Sequence, residues 1–406
     1  MKPKVVVKLG GFATSVARFR ADSDRANLNC NEDPSNSKSE QDEISSLGIT
    51  QVWPPVYPMK TYKNLYKKLC SLENLNLAFR KAKKRKTKKY YVQEFEKNLE
   101  EELNKLHNEL TTLTYEPKLL KRFIIRDPKT REIHASDFRD RVVYHALVNI
   151  LEPIYEKIFI YDSYASRLGK GTHKAVERFD YFKRKVARNG KLIRKPNNKN
   201  SVIGYVFKAD IKHYFETVDH DILLGILRRK VKDENVIQLV KKILDNFHTK
   251  IKSKGMPLGN LTSQFFANVY LNELDYFVKH KLKAKYYMRY VDDFVILHNS
   301  KSQPEEWKEK INRFLKENLK LELHPDKSRI VSLSRGIDLI GFRNFYYFKL
   351  LRKRSIRKME YKIKLFNEGK LSYGKLVESF DGWCAYAKWA NNYKLKTEFS
   401  RMIVLN

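Results

Sequence analysis

Tyr290-Val291-Asp292-Asp293 sets two adjacent carboxylates between apolar runs at residues 285–289 and 294–297, which read as the strands of a hairpin. Neighbouring carboxylates at a hairpin tip repel each other unless a cation lies against them. A hard divalent ion such as Mg2+ is the natural neutraliser, because it takes oxygen ligands from one or two carboxylates and leaves its other positions to water and phosphates. A third carboxylate, Asp210, ends another apolar run, Gly204-Tyr-Val-Phe-Lys-Ala-Asp210. Carboxylates from two strand ends suit a pair of divalent ions about 3.5–4 Å apart, the arrangement that clamps the attacking and leaving oxygens of a phosphoryl transfer.

The elements that must position these groups follow from the periodicity. A strand over 204–210 leads to a helix over 222–231, and a helix over 262–281 precedes the double-aspartate hairpin. A helix over 305–319 is followed by strands at 327–333 and 337–342. This β-α-β-β-α-β order is the split βαβ arrangement. Upstream, residues 92–113 carry Phe95, Leu99, Leu103, Leu106 and Leu110 at helical spacing. A strand over 119–125, a turn over 126–131, a short strand from Glu132 and a helix over 142–158 come next. Residues 183–200, basic and rich in Asn, read as a surface insertion, and helices over 356–366 and 376–390 close the chain. Residues 1–58, with a Ser/Asn/Asp/Glu-rich stretch and the stiff Trp53-Pro-Pro-Val-Tyr-Pro58, read as a mostly disordered extension, so that Met59 could itself begin the folded part.

Composition narrows the partner. A formal net charge of +35 argues for a polyanion and against an acidic surface. The densest cluster is Arg80–Lys89, where eight of ten residues are Lys or Arg, among them Lys83, Lys84, Arg85 and Lys86, and it is a candidate grip on phosphates. Cys30, Cys70 and Cys384 lie far apart and match no zinc spacing, which favours a reducing, cytoplasmic setting. No apolar run is long enough to span a membrane.

The ordered motifs resemble those of a reverse transcriptase. Asp210, the segment Gly255-Met-Pro-Leu-Gly-Asn-Leu-Thr-Ser-Gln264, the Tyr290-Val-Asp-Asp hairpin and Leu323-His-Pro-Asp-Lys-Ser-Arg-Ile330 look like its successive palm motifs. Arg131-Glu-Ile-His-Ala-Ser-Asp-Phe-Arg-Asp-Arg-Val-Val143 and Asp162-Ser-Tyr-Ala-Ser-Arg-Leu-Gly-Lys-Gly-Thr172 resemble the finger motifs of prokaryotic, group II intron-like members. The resemblance covers residues 59–400, and the complete series in order is far more specific than an isolated Tyr-x-Asp-Asp. It implies an α+β right-hand polymerase: N-terminal helices and fingers over 59–203, a ferredoxin-like palm over 204–345 and a helical thumb over 346–406.

The same resemblance implies roles. Asp210 and Asp292 would hold two Mg2+ ions, for which Mn2+ could substitute, with the Ile211 carbonyl helping and Asp293 beside them. Phe215, five residues after Asp210, matches the aromatic steric gate that leaves no space for a 2′-hydroxyl, and Tyr214 either faces the core or presents its backbone to the nucleotide. Arg131 matches the finger arginine on the triphosphate, with either Arg126 or Lys129 as its companion, and Arg167 resembles a template-contacting arginine. Lys327 could protonate the leaving pyrophosphate or contact phosphate.

One motif departs from the common pattern. Most reverse transcriptases carry Gln-Gly-x-x-x-Ser-Pro where this chain has Leu258-Gly-Asn-Leu-Thr-Ser-Gln264. Leucine cannot make the hydrogen bond that the glutamine makes in the nucleotide pocket, so rejection of misaligned nucleotides should weaken. An aliphatic-Gly-x-x-x-Ser-Gln motif, together with the ending Asp381-Gly-Trp-Cys-Ala-Tyr-Ala-Lys-Trp-Ala-Asn-Asn-Tyr393, resembles reverse transcriptases of diversity-generating retroelements. That group copies a template-repeat RNA into cDNA with errors opposite adenines, and the cDNA replaces a variable region of a target gene. It works on dNTPs and an RNA/cDNA duplex with a small basic accessory variability protein that oligomerises. The expected alternatives are a defence-associated or retron-like reverse transcriptase, a DNA-dependent polymerase, or a catalytically silent RNA-binding scaffold. Little chain follows the thumb-like helices, so no RNase H, integrase or maturase domain is expected within it. Trp383, Tyr386 and Trp389 are expected either to line a duplex groove or to pack between thumb helices.

Overall fold

The computed structural model describes residues 60–126, 130–193, 201–247 and 251–403. Of the first helices, α1 (Leu65–Cys70), α2 (Leu72–Lys83) and α3 (Tyr90–Lys97) pack on α5 (Phe138–Tyr155), and α4 (Leu99–Thr111) packs on those three. Ser71 caps α2 by accepting from the Asn74 amide at 3.3 Å, and Asp137 caps α5 by accepting from the Arg139 amide at 3.2 Å. The single helix expected over 92–113 is broken at Asn98, whose φ of −112° and ψ of 34° end α3 and start α4. The break lets Phe95 turn onto Phe79 and Phe138, with ring centroids 5.7 and 5.2 Å away, while Leu103, Leu106 and Leu110 face the same core from α4. An antiparallel hairpin of β1 (Lys121–Ile125) and β2 (Arg131–Ala135) projects beyond it, with every β1 residue exposed.

α6 (Thr172–Val186) precedes the central sheet, whose first strand in the chain is β3 (Tyr205–Asp210). The expected insertion at 183–200 therefore starts too early. α6 runs on through Val186, and Lys183 is buried, donating to the Phe345 carbonyl at 2.6 Å and pairing with Asp180 at 2.7 Å. After β3 come α7 (Tyr214–Thr217), α8 (His220–Arg228), α9 (Glu234–Asp245) and α10 (Leu261–Tyr276), the last continuing as a π-helical turn over Phe277–Lys281. β4 (Tyr286–Tyr290), β5 (Asp293–His298), α11 (Ser302–Leu319) and β6 (Arg329–Ser332) complete the unit. The expectation for this region omitted α9, which lies between two motif-bearing segments.

The four strands form an antiparallel sheet in the order β4-β5-β3-β6, the ferredoxin-like arrangement expected of a split βαβ unit. Alternation divides its side chains between two cores. Phe207, Ala209, Tyr287, Phe294 and Ile296 point into the core shared with α5, α8 and α10. Val206, Met288, Val295 and Leu297 point to the opposite face, against Phe179 and Phe182 of α6.

A small sheet of β7 (Ile337–Leu339), β8 (Phe342–Asn344) and β9 (Lys349–Leu351) leads to α12 (Lys353–Asn367), α13 (Tyr373–Ala387) and α14 (Tyr393–Met402). α14 goes beyond the two closing helices expected. Its Phe399 lies 5.0 Å from Trp383, which also stacks on Phe380, so that tryptophan is core. Tyr386 stacks on Phe342 and donates to the Gly341 carbonyl, and Trp389 lies 4.3 Å from the His173 ring of α6. All three aromatic rings are used in packing.

Candidate active site

Strand register brings the acidic residues together. β3 and β5 pair so that Asp210 lies directly opposite Asp293, and Tyr290 of β4 is paired with the same Asp293. Cross-strand neighbours stand about 4.5–5.5 Å apart, and like charges placed so oppose folding. Asp292 occupies the turn between β4 and β5, next to Val291, whose φ of 58° puts a β-branched residue in the left-handed region. By alternation Asp210 and Asp293 share the face of Val206 and Val295.

The electrostatics reflect this crowding. Burial, and next the Asp293 and Asp210 carboxylates, push Asp292 up to about 6. Asp293 is also raised, chiefly by burial, and its Oδ1 is buried without a hydrogen-bond partner. Two lysines offset part of the charge: Lys327 donates to Asp210 Oδ1 at 3.1 Å, and Lys208 Nζ lies 3.9 Å from Asp293 Oδ1. The Asp210 backbone is clamped by the His324 amide, which donates to its carbonyl at 2.7 Å. Among the described residues no three His, Cys, Asp or Glu side chains gather tightly enough to hold a metal alone. The donor set still fits a hard cation. A buried orphan carboxylate oxygen and a carboxyl held near 6 are what such an ion would relieve, with water and phosphate oxygens completing its shell.

The side of the site expected to face a nucleotide is assembled by backbone bonds. Tyr214 is buried and donates to the Ala267 carbonyl at 2.8 Å, so only its backbone remains for a ligand. Phe215 is half-buried beside it, at a ring distance of 5.3 Å, and its carbonyl accepts from the Met256 amide at 2.6 Å. The Gly255 amide donates to the Val218 carbonyl at 2.8 Å, and His220 Nε2 lies 2.7 Å from the Gly255 carbonyl. These bonds fix the start of the Leu258 segment relative to Phe215. The Leu258 carbonyl accepts from the His134 amide of β2 at 3.4 Å. Gly259 has φ of 105°, and a Cβ there would come within 3.1 Å of Ile133, so the finger hairpin closes directly over this turn. Ile211 is buried and bridges to Leu323.

The other expected site residues are distributed unevenly. Arg126 and Arg131 are exposed at facing ends of the hairpin, and Lys129 lies outside the described residues. Gln264 accepts from Ser166 at 3.1 Å and so ties α10 to the second finger motif. Arg167 is turned inward, its side chain 5% exposed: it forks onto Glu156 and donates to the Ile160 and Ser163 carbonyls at 2.7 and 3.0 Å. In this arrangement the arginine shapes the loop and presents little of itself to a template. Lys83 pairs with Glu96, whereas Lys84 and Arg85 are exposed and Lys86 is half-buried, lowered by burial and the neighbouring Arg141. Beside Lys208 and Lys327, Arg329, Arg335 and Arg343 line a cavity of 820 Å3, a basic space that motif reading had not assembled.

The split βαβ sheet, its carboxylate hairpin and the flanking hairpin and helical layers are those of a right-hand polymerase, with fingers, palm and thumb. Residues 125–344 match the family model described as reverse transcriptase (RNA-dependent DNA polymerase). The chain belongs to that family. It is 28% identical over 293 residues to Protein YkfC of Escherichia coli, covering 63% of this chain and 72% of YkfC. It is 26% identical over 313 residues to the group II intron-encoded protein LtrA of Lactococcus lactis, covering 60% of this chain and 49% of LtrA. The chain thus spans about half of LtrA's length. A solved telomerase from Candida albicans, in complex with a TWJ fragment of telomeric RNA, aligns with 72% of this chain and 58% of its own at a TM-score of 0.42 and 12% identity. Among the described residues no helix is long and apolar enough to cross a membrane. As reverse transcriptases generally do, a member of this family depends on a divalent metal.

Proposed function

We propose that this chain extends DNA on an RNA template, with Asp210, Asp292 and Asp293 as its catalytic carboxylates, and that it does so with frequent error in a diversity-generating retroelement. The observation that carries the first part is the register that opposes Asp210 to Asp293 with Asp292 in the adjoining turn, in a chain of the reverse transcriptase family. Asp210, Asp292 and the Ile211 carbonyl would hold two Mg2+ ions, with Asp293 beside them. When bound, these ions would supply activation of the primer 3′-hydroxyl and stabilisation of the triphosphate. Lys327, 3.1 Å from Asp210, would hold a proton near the leaving pyrophosphate, and the basic cavity that it lines would offer that anion a receptive wall.

Phe215 would lie under the sugar and exclude a 2′-hydroxyl, while Arg131 with Arg126 or Lys129 would take the triphosphate from the finger hairpin. Lys84 and Arg85 would follow the template phosphates from the N-terminal helices. Residues 59–203, 204–345 and 346–406 then serve as fingers, palm and thumb, and a cytoplasmic setting and a small basic accessory oligomer belong to the same proposal. Support for the error-prone part is narrower. By resemblance, Leu258 stands where the common reverse transcriptase motif has glutamine, and its segment is pinned between Phe215 and the finger hairpin, so an aliphatic group there would meet the incoming pair without a directional contact.

Two measurements test this. Asp292→Ala with Asp293→Ala should abolish primer extension on RNA while leaving RNA affinity within about twofold, because the phosphate contacts lie elsewhere; residual synthesis would contradict the assignment of the carboxylates. Sequencing cDNA copied from a defined adenine-containing RNA should show substitutions concentrated opposite adenine. An even error spectrum would favour a retron-like or defence-associated role.

A further inference from the structure

We infer that Arg289 is a positioning residue for the carboxylate turn, holding the Val291–Asp292 peptide through a buried network anchored on Asp275. Alternation along β4 sends Arg289 to the same face as Tyr287, into the main core, where it is fully buried. A guanidinium there needs every donor satisfied. Its Nε and Nη2 fork onto the two oxygens of Asp275, on α10, at 2.7 and 2.6 Å, and Asp275 is itself fully buried and accepts from the Tyr287 hydroxyl at 2.6 Å. The remaining terminal nitrogen, Nη1, donates to Asn268 Oδ1 at 3.1 Å and to the Val291 carbonyl at 3.0 Å.

That last bond carries the inference, which rests on the reading of Asp292 and Asp293 as catalytic. Val291 is a β-branched residue at φ 58°, a conformation with a steric cost that persists only where surroundings enforce it. Its carbonyl and the Asp292 amide belong to one planar peptide. Gripping the carbonyl therefore fixes the direction from which the Asp292 side chain leaves the turn. The pair is neutral as a whole, so Arg289 lends the site little net charge. Stability alone does not explain it either, since a well-packed apolar pair in its place is often as stable. The fork geometry is what an apolar pair, or a lysine, could not supply.

The same network reaches the fingers. Asn268 Nδ2 donates to the Ala165 carbonyl at 2.9 Å, the Arg289 amide donates to the Asp162 carbonyl and the Tyr164 amide to the Arg289 carbonyl, both at 2.9 Å. One arginine thus ties the carboxylate turn to α10 and to the second finger motif.

The test uses the full chain with Arg289→Met/Asp275→Asn, which removes both charges together and keeps an acceptor for Tyr287, and with Arg289→Lys, which keeps the charge but loses the fork. Single-turnover primer extension, dNTP KM, RNA affinity, melting temperature and hydrogen exchange across residues 286–298 in EDTA are compared with wild type. Both variants should bind RNA like wild type and keep KM within about twofold and, because Asn268 and the Val291 carbonyl lose a buried donor, melt a few degrees lower, while the extension rate measured well below that melting temperature falls about 10- to 100-fold, the scale of a misplaced catalytic group. Exchange at the turn should quicken in the metal-free protein. Unchanged rate and exchange in the double variant would overturn the inference, and so would a rate loss matched by lost RNA affinity or by a fraction of unfolded protein at the assay temperature. Asp292→Asn is the separate control: extension retained there refutes the catalytic assignment itself, whatever the Arg289 variants show.

Discussion

In metal-free protein, Asp292→Asn removes a carboxylate that the fold holds at a disadvantage. Burial and the neighbouring Asp293 and Asp210 raise Asp292 from an ordinary 3.8 to about 6. That difference makes the ionised form cost about 3 kcal/mol at pH 8. Asparagine keeps the shape and sheds the charge, while the attraction to Lys327 that it gives up is the smallest of the contributions named for Asp292. We expect a net gain of about 2 kcal/mol and a melting temperature roughly 2–5 °C higher in EDTA at pH 8. The sign follows from the direction of the shift. A carboxyl raised on folding leaves the protein unpenalised below the unfolded value of 3.8, and stability is lost as pH rises through about 6. The advantage of the variant should therefore shrink as the pH is lowered from 7 towards 4. Excess Mg2+ should raise the melting temperature of wild type and much less that of the variant, reversing their order. Melting scans with EDTA or Mg2+ at pH 4.5, 6 and 8 decide the matter. A variant that melts at or below wild type in EDTA at pH 8 would refute the reasoning, because burial and the neighbouring carboxylates would then not be penalising the Asp292 charge.

Leu258→Gln should lower misincorporation opposite template adenine about 3- to 10-fold, the worth of one directional contact, as read by cDNA sequencing; an unchanged spectrum would remove the pocket argument. Phe215→Val should raise ribonucleotide incorporation relative to deoxynucleotide by at least about tenfold in single-nucleotide extension, since the smaller side chain opens space for a 2′-hydroxyl. Arg167→Ala should cost about 1–3 kcal/mol in urea denaturation, because the Ile160 and Ser163 carbonyls lose their donor. A loss of template affinity with no loss of stability would instead make Arg167 a direct contact.

Much of this protein could be read along the chain. Apolar runs broken by Asp210 and by Asp292-Asp293 marked strand ends, and their order with the intervening helices determined the split βαβ unit, because side-chain alternation and helical spacing are local properties of sequence. Charge composition set the class of partner for the same reason. Other features depended on distant segments meeting. Asn98 divides a continuous helical pattern because Phe95 packs on Phe79 and Phe138. Lys183 belongs to a helix because the Phe345 carbonyl and Asp180 receive its ammonium group, which no basic run could announce. The sequence marked Arg167 only by its resemblance to a template-contacting arginine; that Glu156 and two carbonyls receive its donors was decided by folding. Arg289 offered one faint sign, a charge at a core position of an apolar strand, but its partners Asp275, Asn268 and Val291 lie on a helix and in a turn that converge only on folding. The identities of the acidic groups were local information. Their opposition across β3 and β5, and the orientation of the turn that bears them, were settled by strand register and buried hydrogen bonds, which exist only once the chain has closed on itself.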